Sequence, residues 1–367
     1  MTLAPPDPDR PPPSAGLPGG GPAKARGEGG WWRWIVAGSI SLGLLGGLLA
    51  LAGPGELVEA LAGARGGPLW VAAGLFAVTT ACRWLRVLIV VPPEARRPLP
   101  LLGVTAGHAF LNKIMPVRTG ELAFPLLLRR ATGASLTTGL LTLALLRVVE
   151  VACLAPIYAT ALALWGVEVG AAIPTGPWLI PIALGVAGAT LAALPSLLRR
   201  GVSLGDRLLS RPSLRGSERA ARIRRGLGES AGEVARVGVG GMVMLSATTM
   251  VMWMSLFGVF HACVLALSID IPFAQTIVGS GGGVLTNLLP INGIGSFGTL
   301  EVGWTAGFAA TGEAISPVLA AGVVMHALVL VLTGVFALVG AFGLRGGASG
   351  DAGEGADQEV GQGGDGG

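Results

Sequence analysis

Arg147 and Glu150 stand three residues apart inside an apolar run from Ser135 to Trp165. On a helix that spacing places them on one face. They lie about 12 and 15 residues into the run, hence ~18 to 22 Å along it at ~1.5 Å per residue. Ionisable groups at such depth cost about 3 kcal/mol on insertion scales and face a bundle interior or a polar cavity. The pair is therefore either a structural ion pair or a site in which Arg147 contacts a lipid phosphate while Glu150 orients it. A second group, Asn112, Lys113, Arg118 and Glu121, surrounds Pro116. Proline interrupts a helix, and the freed backbone N–H groups and half-helix terminus suit an anionic headgroup as well as the capping of a turn. Asn287 and Glu301 hold comparable positions around Pro290.

Other candidates read as structural. His108, His261 and His326 share no short ligand spacing, and Cys82, Cys153 and Cys263 lie apart inside apolar runs, so no metal site or cofactor is expected. Gly293-x-Gly295-x-x-Gly298 matches the dinucleotide fingerprint literally, yet no strand precedes it, so these glycines are read as a tight turn. Arg83 and Arg86 lie toward one end of their run and read as snorkelling to the membrane interface.

The elements that must position these residues are membrane helices. The 367-residue chain is 51% hydrophobic and only 13% charged, with mean hydropathy +0.69. Soluble domains carry roughly 25% charge, so a soluble enzyme, a nucleic-acid-binding module and a disulfide-stapled secreted domain are excluded. Apolar runs at 35–52, 69–91, 99–115, 135–165, 178–198, 239–267, 271–290 and 317–344 are mostly long enough to enter or cross a ~30 Å hydrocarbon core. Trp31, Trp32, Arg33 and Trp34 suit an interfacial anchor before the first run, which reads as an uncleaved signal anchor. Residues 1–30 and 346–367 are Pro- or Gly-rich and poor in large apolar side chains, and read as disordered tails around a membrane domain at 31–345.

Arginine placement orients the set by the positive-inside rule. Arg96 and Arg97, Arg129 and Arg130, the Arg-rich loop 199–236 and Arg345 mark the cytoplasm, whereas Glu56, Glu168 and Asp270 mark the outside. Both termini are then cytoplasmic in a cell-membrane protein. The run 99–115 lies between two cytoplasmic marks, which one crossing cannot satisfy. Either it re-enters on the same side, or 120–128 completes a short second leg. The same holds from Asp270 to Glu313, entered from outside. The expectation is an all-α protein of about six full spans plus two broken or re-entrant segments.

The two broken segments resemble each other. Gly107, Asn112, Pro116, Gly120 and Glu121 recur in order as Gly282, Asn287, Pro290, the glycines to Gly298, and Glu301. Ala131-Thr132-Gly133 matches Ala310-Thr311-Gly312, and fifteen residues beyond each threonine come Arg147 and His326. Entry from opposite sides makes this an inverted repeat, a transporter plan in which broken helices meet near the midplane. Their exposed backbone must line a cavity or be buried in protein.

At Asn112, Pro116, Arg118, Gly120, Glu121, Arg147, Glu150, Pro290 and the glycine-rich run to Glu301, the chain resembles the flippase-like membrane family that includes the transmembrane region of lysylphosphatidylglycerol synthases. The resemblance spans 34–344. It departs where Phe124 and Pro125 replace an expected arginine, and where Glu150 stands in place of a more usual Asp. The resemblance implies movement of a membrane lipid, an anionic phospholipid or a lipid-linked sugar, between leaflets. Substrate contacts are then expected at Asn112, Arg118, Glu121, Arg147, Glu150, Asn287 and Glu301. No nucleic-acid partner is expected, and a homo-oligomer is compatible. A membrane-embedded transferase using Glu121 or Glu301 as acid or base, and a non-transporting scaffold, are the alternatives. The transferase has no nucleophile motif, metal cluster or nucleotide site in its favour, and lysyl transfer is not expected, because only the 199–236 loop and the tails lie outside the membrane runs.

Overall fold

The computed structural model describes residues 54–165, 178–210, 236–286 and 294–360, with isolated residues between 38 and 50 and between 221 and 228. The expected tail 1–30, the Trp31–Trp34 anchor, most of the first run, Glu168, Asn287, Pro290 and most of the Arg-rich loop lie outside the described residues, as do the side chains of Pro116 and Arg118.

The described chain is helical, with no strand among the described residues. Its helices are α1 (Pro54–Ala62), α2 (Gly66–Val90), α3 (Pro98–Ile114), α4 (Ala123–Thr132), α5 (Leu136–Trp165), α6 (Leu179–Leu209), α7 (Gly238–Ala266), α8 (Phe273–Thr286), α9 (Thr299–Ala310) and α10 (Ile315–Val360). Four are long and apolar enough to cross a membrane: α2, α5, α7, and α10 as far as Leu344. Of the six full spans expected, these are four; the first lies largely outside the described residues, and α6 carries a shorter apolar stretch, Leu179–Leu194. The protein is an all-α, multi-pass membrane protein.

Two boundaries differ from the sequence reading. Helix α6 continues through Arg199 and Arg200 to Leu209, so the start of the Arg-rich loop is helical rather than irregular. Extending an existing helix adds a hydrogen bond per residue without a new nucleus, and Leu204, Leu208 and Leu209 keep apolar residues recurring along the extension. The backbone of α10 likewise runs on to Val360, past the Gly346 boundary that composition sets.

Order along the chain repeats: a long helix, a hairpin of two short helices, and a long helix, first as α2, α3–α4, α5 and then as α7, α8–α9, α10. In the first hairpin, α3 ends at Ile114 and a 3-10 segment from Pro116 to Leu122 turns the chain. Gly107 then packs on Leu127, and Gly120 lies so close to α3 that a Cβ there would stand 2.4 Å from the Leu111 carbonyl oxygen. Helix α4 has ten residues, ~15 Å, too short to cross ~30 Å of hydrocarbon. Gly133 closes it in the left-handed conformation, φ 75°. In the second hairpin Gly282 meets Gly303 backbone to backbone, and Gln275 reaches Thr311 and Glu313 at the far end. Both hairpins are antiparallel, so the two ends of each lie together.

The halves are knitted by antiparallel pairs. Arg65, just before α2, donates its backbone N–H to the Ala266 carbonyl at the end of α7 (2.8 Å), Leu75 fits against Gly258, and Arg86 reaches Met252. Between α3 and α10, Gly103 packs on Gly340 and Phe110 on Gly334. There are two main cores: one around Phe257, Phe260, Trp304 and Phe308, the other around Leu101, Phe124, Leu145 and Val149. Helix α2 starts in the first core with Phe76 and ends in the second with Val87 and Val90.

Candidate functional site

The two hairpins and the long helices beside them enclose a cavity of about 410 Å³. One wall is ionic. Arg147 donates to Glu150 one helical turn away (2.8 Å) and to Glu121 at the first break (3.2 Å). Arg86 of α2 donates to the other oxygen of Glu150 (2.7 Å) and to the Leu146 carbonyl (2.9 Å). Glu150 thus uses both oxygens to join two arginines from two helices. Arg86 is 2% exposed, whereas the Arg147 side chain is 42% exposed and turned to the cavity. The glycine at 120 makes this possible, because only a residue without Cβ lets the break close on α3 and bring Glu121 under Arg147.

Arg83 of α2 and His108, Asn112 and Lys113 of α3 complete the polar wall. The Oδ1 of Asn112 and the Nδ1 of His108 are buried without a hydrogen-bond partner among the described residues. The same cavity is also lined by apolar side chains, among them Phe76, Trp253, Leu256 and Phe260, with Val284, Leu300 and Met325 from the second half. The indole N–H of Trp253 is a further buried polar atom with no partner there.

Of the seven residues expected to contact substrate, Asn112, Glu121, Arg147 and Glu150 are brought together on this cavity. Arg118 belongs to the 3-10 turn, but its side chain, like the whole of Asn287, lies outside the described residues. Glu301 is placed elsewhere. It is 1% exposed, accepts the Gly298 backbone N–H (2.7 Å), and bonds Nδ1 of His326, whose Nε2 donates to the Gly295 carbonyl (2.9 Å). Its carboxylate is spent on capping α9 and tying the second break to α10. Gly295 and Gly298 at that break have φ of 66° and 81°, so the turn reading of the glycine motif holds. The corresponding step in each half is thus an acid at the break held by the following long helix: Glu121 by Arg147, Glu301 by His326.

Arg83 and Arg86 do not snorkel. Arg86 is buried on Glu150, and Arg83 lines the cavity. Counted along α2 they sit near its end, but α5 and α7 enclose Arg86, and α3 packs beside Arg83. Their spacing of three inside an apolar helix, the same as that of Arg147 and Glu150, was the available signal. The three cysteines are free and buried, as expected of small apolar side chains. Among the described residues no three His, Cys, Asp or Glu side chains gather into a metal-binding group.

Neither the curated proteins nor the solved structures contain a match to this sequence. The family model of the lysylphosphatidylglycerol synthase transmembrane region, however, matches residues 34–337, which take in both hairpins, the long helices as far as Ala337 and the ionic cluster. The chain belongs to that family, and is a multi-pass membrane protein acting on lipids.

Proposed function

We propose that the protein is a flippase-like translocator that moves an anionic phospholipid or lipid-linked substrate between the leaflets of the cell membrane. The observation that carries this reading is the mixed ionic and apolar lining of the cavity. The cations suit a phosphate headgroup, the unpartnered Asn112 Oδ1 suits a hydroxyl or a water beside it, and the aromatic and aliphatic side chains suit the start of an acyl or prenyl tail. The rest of the tail would stay in the bilayer.

The antiparallel crossings of α2 with α7 and α3 with α10, and the repeated order of elements, support two halves of opposite orientation. In this reading each hairpin is re-entrant, with α3–α4 entering from the cytoplasm and α8–α9 from outside. Rocking of one half on the other would then open the same cavity alternately to each side. Arg147 contacts the phosphate, Glu150 and Glu121 hold its guanidinium in place, and Asn112 and Arg118 complete the headgroup site. Asn287 is assigned the matching place at the second break, and Glu301 a positioning role there through Gly298 and His326.

The reading makes the protein a transporter rather than an enzyme. A transferase would need Glu121 or Glu301 available as acid or base, yet both are engaged in ion pairs or hydrogen bonds. Reconstitution into vesicles carrying a fluorescent phospholipid tests the proposal. Lipid moved to the outer leaflet becomes accessible to a quencher, while extraction of the lipids shows whether any is chemically altered. Movement without alteration is expected; alteration without movement would replace the proposal with the transferase.

A further inference from the structure

The balance of charge in the cavity names a narrower ligand, and this step rests on the translocator reading only for the statement that the ligand is a lipid. Among the described residues four cations reach the cavity, Arg83, Arg86, Lys113 and Arg147, against two carboxylates, Glu121 and Glu150. Both carboxylates are spent: Glu150 holds Arg86 and Arg147, and Glu121 holds Arg147. Arg83 and Lys113, on facing helices α2 and α3, have no hydrogen-bond or ion-pair partner among the described residues. A half-buried cation without a counter-charge is costly beside an apolar lining. Two of them on one cavity leave an excess of two positive charges among the described side chains, and Arg118, in the headgroup site proposed above, adds to the excess.

We infer that the site is built for a lipid whose headgroup carries about two negative charges, a terminal phosphomonoester or a diphosphate, rather than for a phosphodiester lipid with one. A phosphomonoester carries roughly −1.5 to −2 at neutral pH and presents three acceptor oxygens. That is enough to meet Arg83, Lys113 and the exposed edge of Arg147 together. A phosphodiester has one charge and two free oxygens, and leaves one cation unmatched. Asn112, with its buried Oδ1 unpartnered, is placed to order a bridging water or a headgroup hydroxyl. The chemistry is shared by a diacyl lipid of the phosphatidic acid type and by a prenyl monophosphate.

The test uses the full-length protein in detergent and measures binding by native mass spectrometry. The probes are dihexanoyl phosphatidic acid, geranyl monophosphate, dihexanoyl phosphatidylglycerol and inorganic phosphate. The two phosphomonoester lipids should bind about tenfold or more tighter than phosphatidylglycerol, as an additional charge-assisted contact gives. Inorganic phosphate should bind more weakly than either because it leaves the apolar lining unused. The better of the two lipids identifies the tail. Arg83→Gln and Lys113→Gln should each lower the ratio, and the double variant should bring it near one. Since neither residue has a partner to strand, both variants should melt no lower than the wild type. The charge-keeping pair Arg83→Lys and Lys113→Arg should retain the preference. Equal binding of phosphatidic acid and phosphatidylglycerol by the wild type would overturn the inference, as would a ratio that survives in the double variant. Inorganic phosphate binding as tightly as the lipids would assign the site to a free anion. Tight phosphomonoester binding without lipid movement in vesicles would refute the translocator and leave the charge assignment standing.

Discussion

At the scale of single residues, the centre of the account is Glu150, because it joins two arginines from two helices. Removing one partner of a buried ion pair costs roughly 3 to 5 kcal/mol, since the other charge is left buried and uncompensated. Glu150→Ala strands Arg86, which is 2% exposed, so it should lower the melting temperature strongly. Arg147→Ala leaves Glu150 paired with Arg86 and takes a partner only from Glu121, whose side chain is 27% exposed, so it should be milder. The double change to alanine at 147 and 150 should therefore not recover stability. Thermal melts of the three variants check this order, and a double variant as stable as the wild type would contradict it. Arg147 and Glu150 were legible in the sequence, since an ionisable pair at helical spacing deep in an apolar run has few explanations. Arg83 and Arg86 were misread because depth along one helix does not tell what is packed on its end. Glu301 was read as a substrate contact because its motif position matches that of Glu121. The repeat already sets His326 against Arg147; what only the fold reveals is that His326 meets Glu301 and the Gly295 carbonyl, and so uses up that carboxylate.

At the scale of elements, the hairpins depend on backbone contact at glycines. A Cβ at Gly282 would meet the Gly303 carbonyl oxygen, one of the closest approaches between α8 and α9. Gly282→Val should prevent these legs from closing, seen as loss of monodisperse protein on size exclusion. Gly120→Ala should be less severe for folding but should push the break off α3 and draw Glu121 away from Arg147. Lipid movement should then fall more than the melting temperature does; equal wild-type movement by Gly120→Ala would show that the position of the break is immaterial. The helices themselves were readable, with α2, α5, α7 and the start of α10 within a few residues of the apolar runs. The hairpin turn after Ile114 was readable from Pro116. What could not be read was how the two short legs pack on each other, because it turns on where Gly107 and Leu127 meet, a contact between segments.

At the scale of the whole molecule, the proposal requires the two hairpins to open toward opposite sides of the membrane. Single cysteines at Glu94 and Ala134, flanking the first hairpin, should resist an impermeant thiol reagent added to intact cells, while cysteines at Asp270 and Glu313, flanking the second, should react. Labelling of both pairs from the same side would remove the inverted arrangement and, with it, the alternate opening of the cavity.

The most direct measurement of the central claim is fluorescent-lipid movement by Arg147→Lys in proteoliposomes, set against its melting temperature. Lysine keeps the charge but cannot reproduce the planar fork that serves Glu150, Glu121 and a phosphate at once. Movement should fall about tenfold or more, the loss of one charge-assisted hydrogen bond of roughly 1.5 to 3 kcal/mol, while the fold survives because Arg86 still neutralises Glu150. Full movement by this variant, with the fold equally intact, would show that Arg147 only holds helices together and that the cavity it lines is not the lipid path.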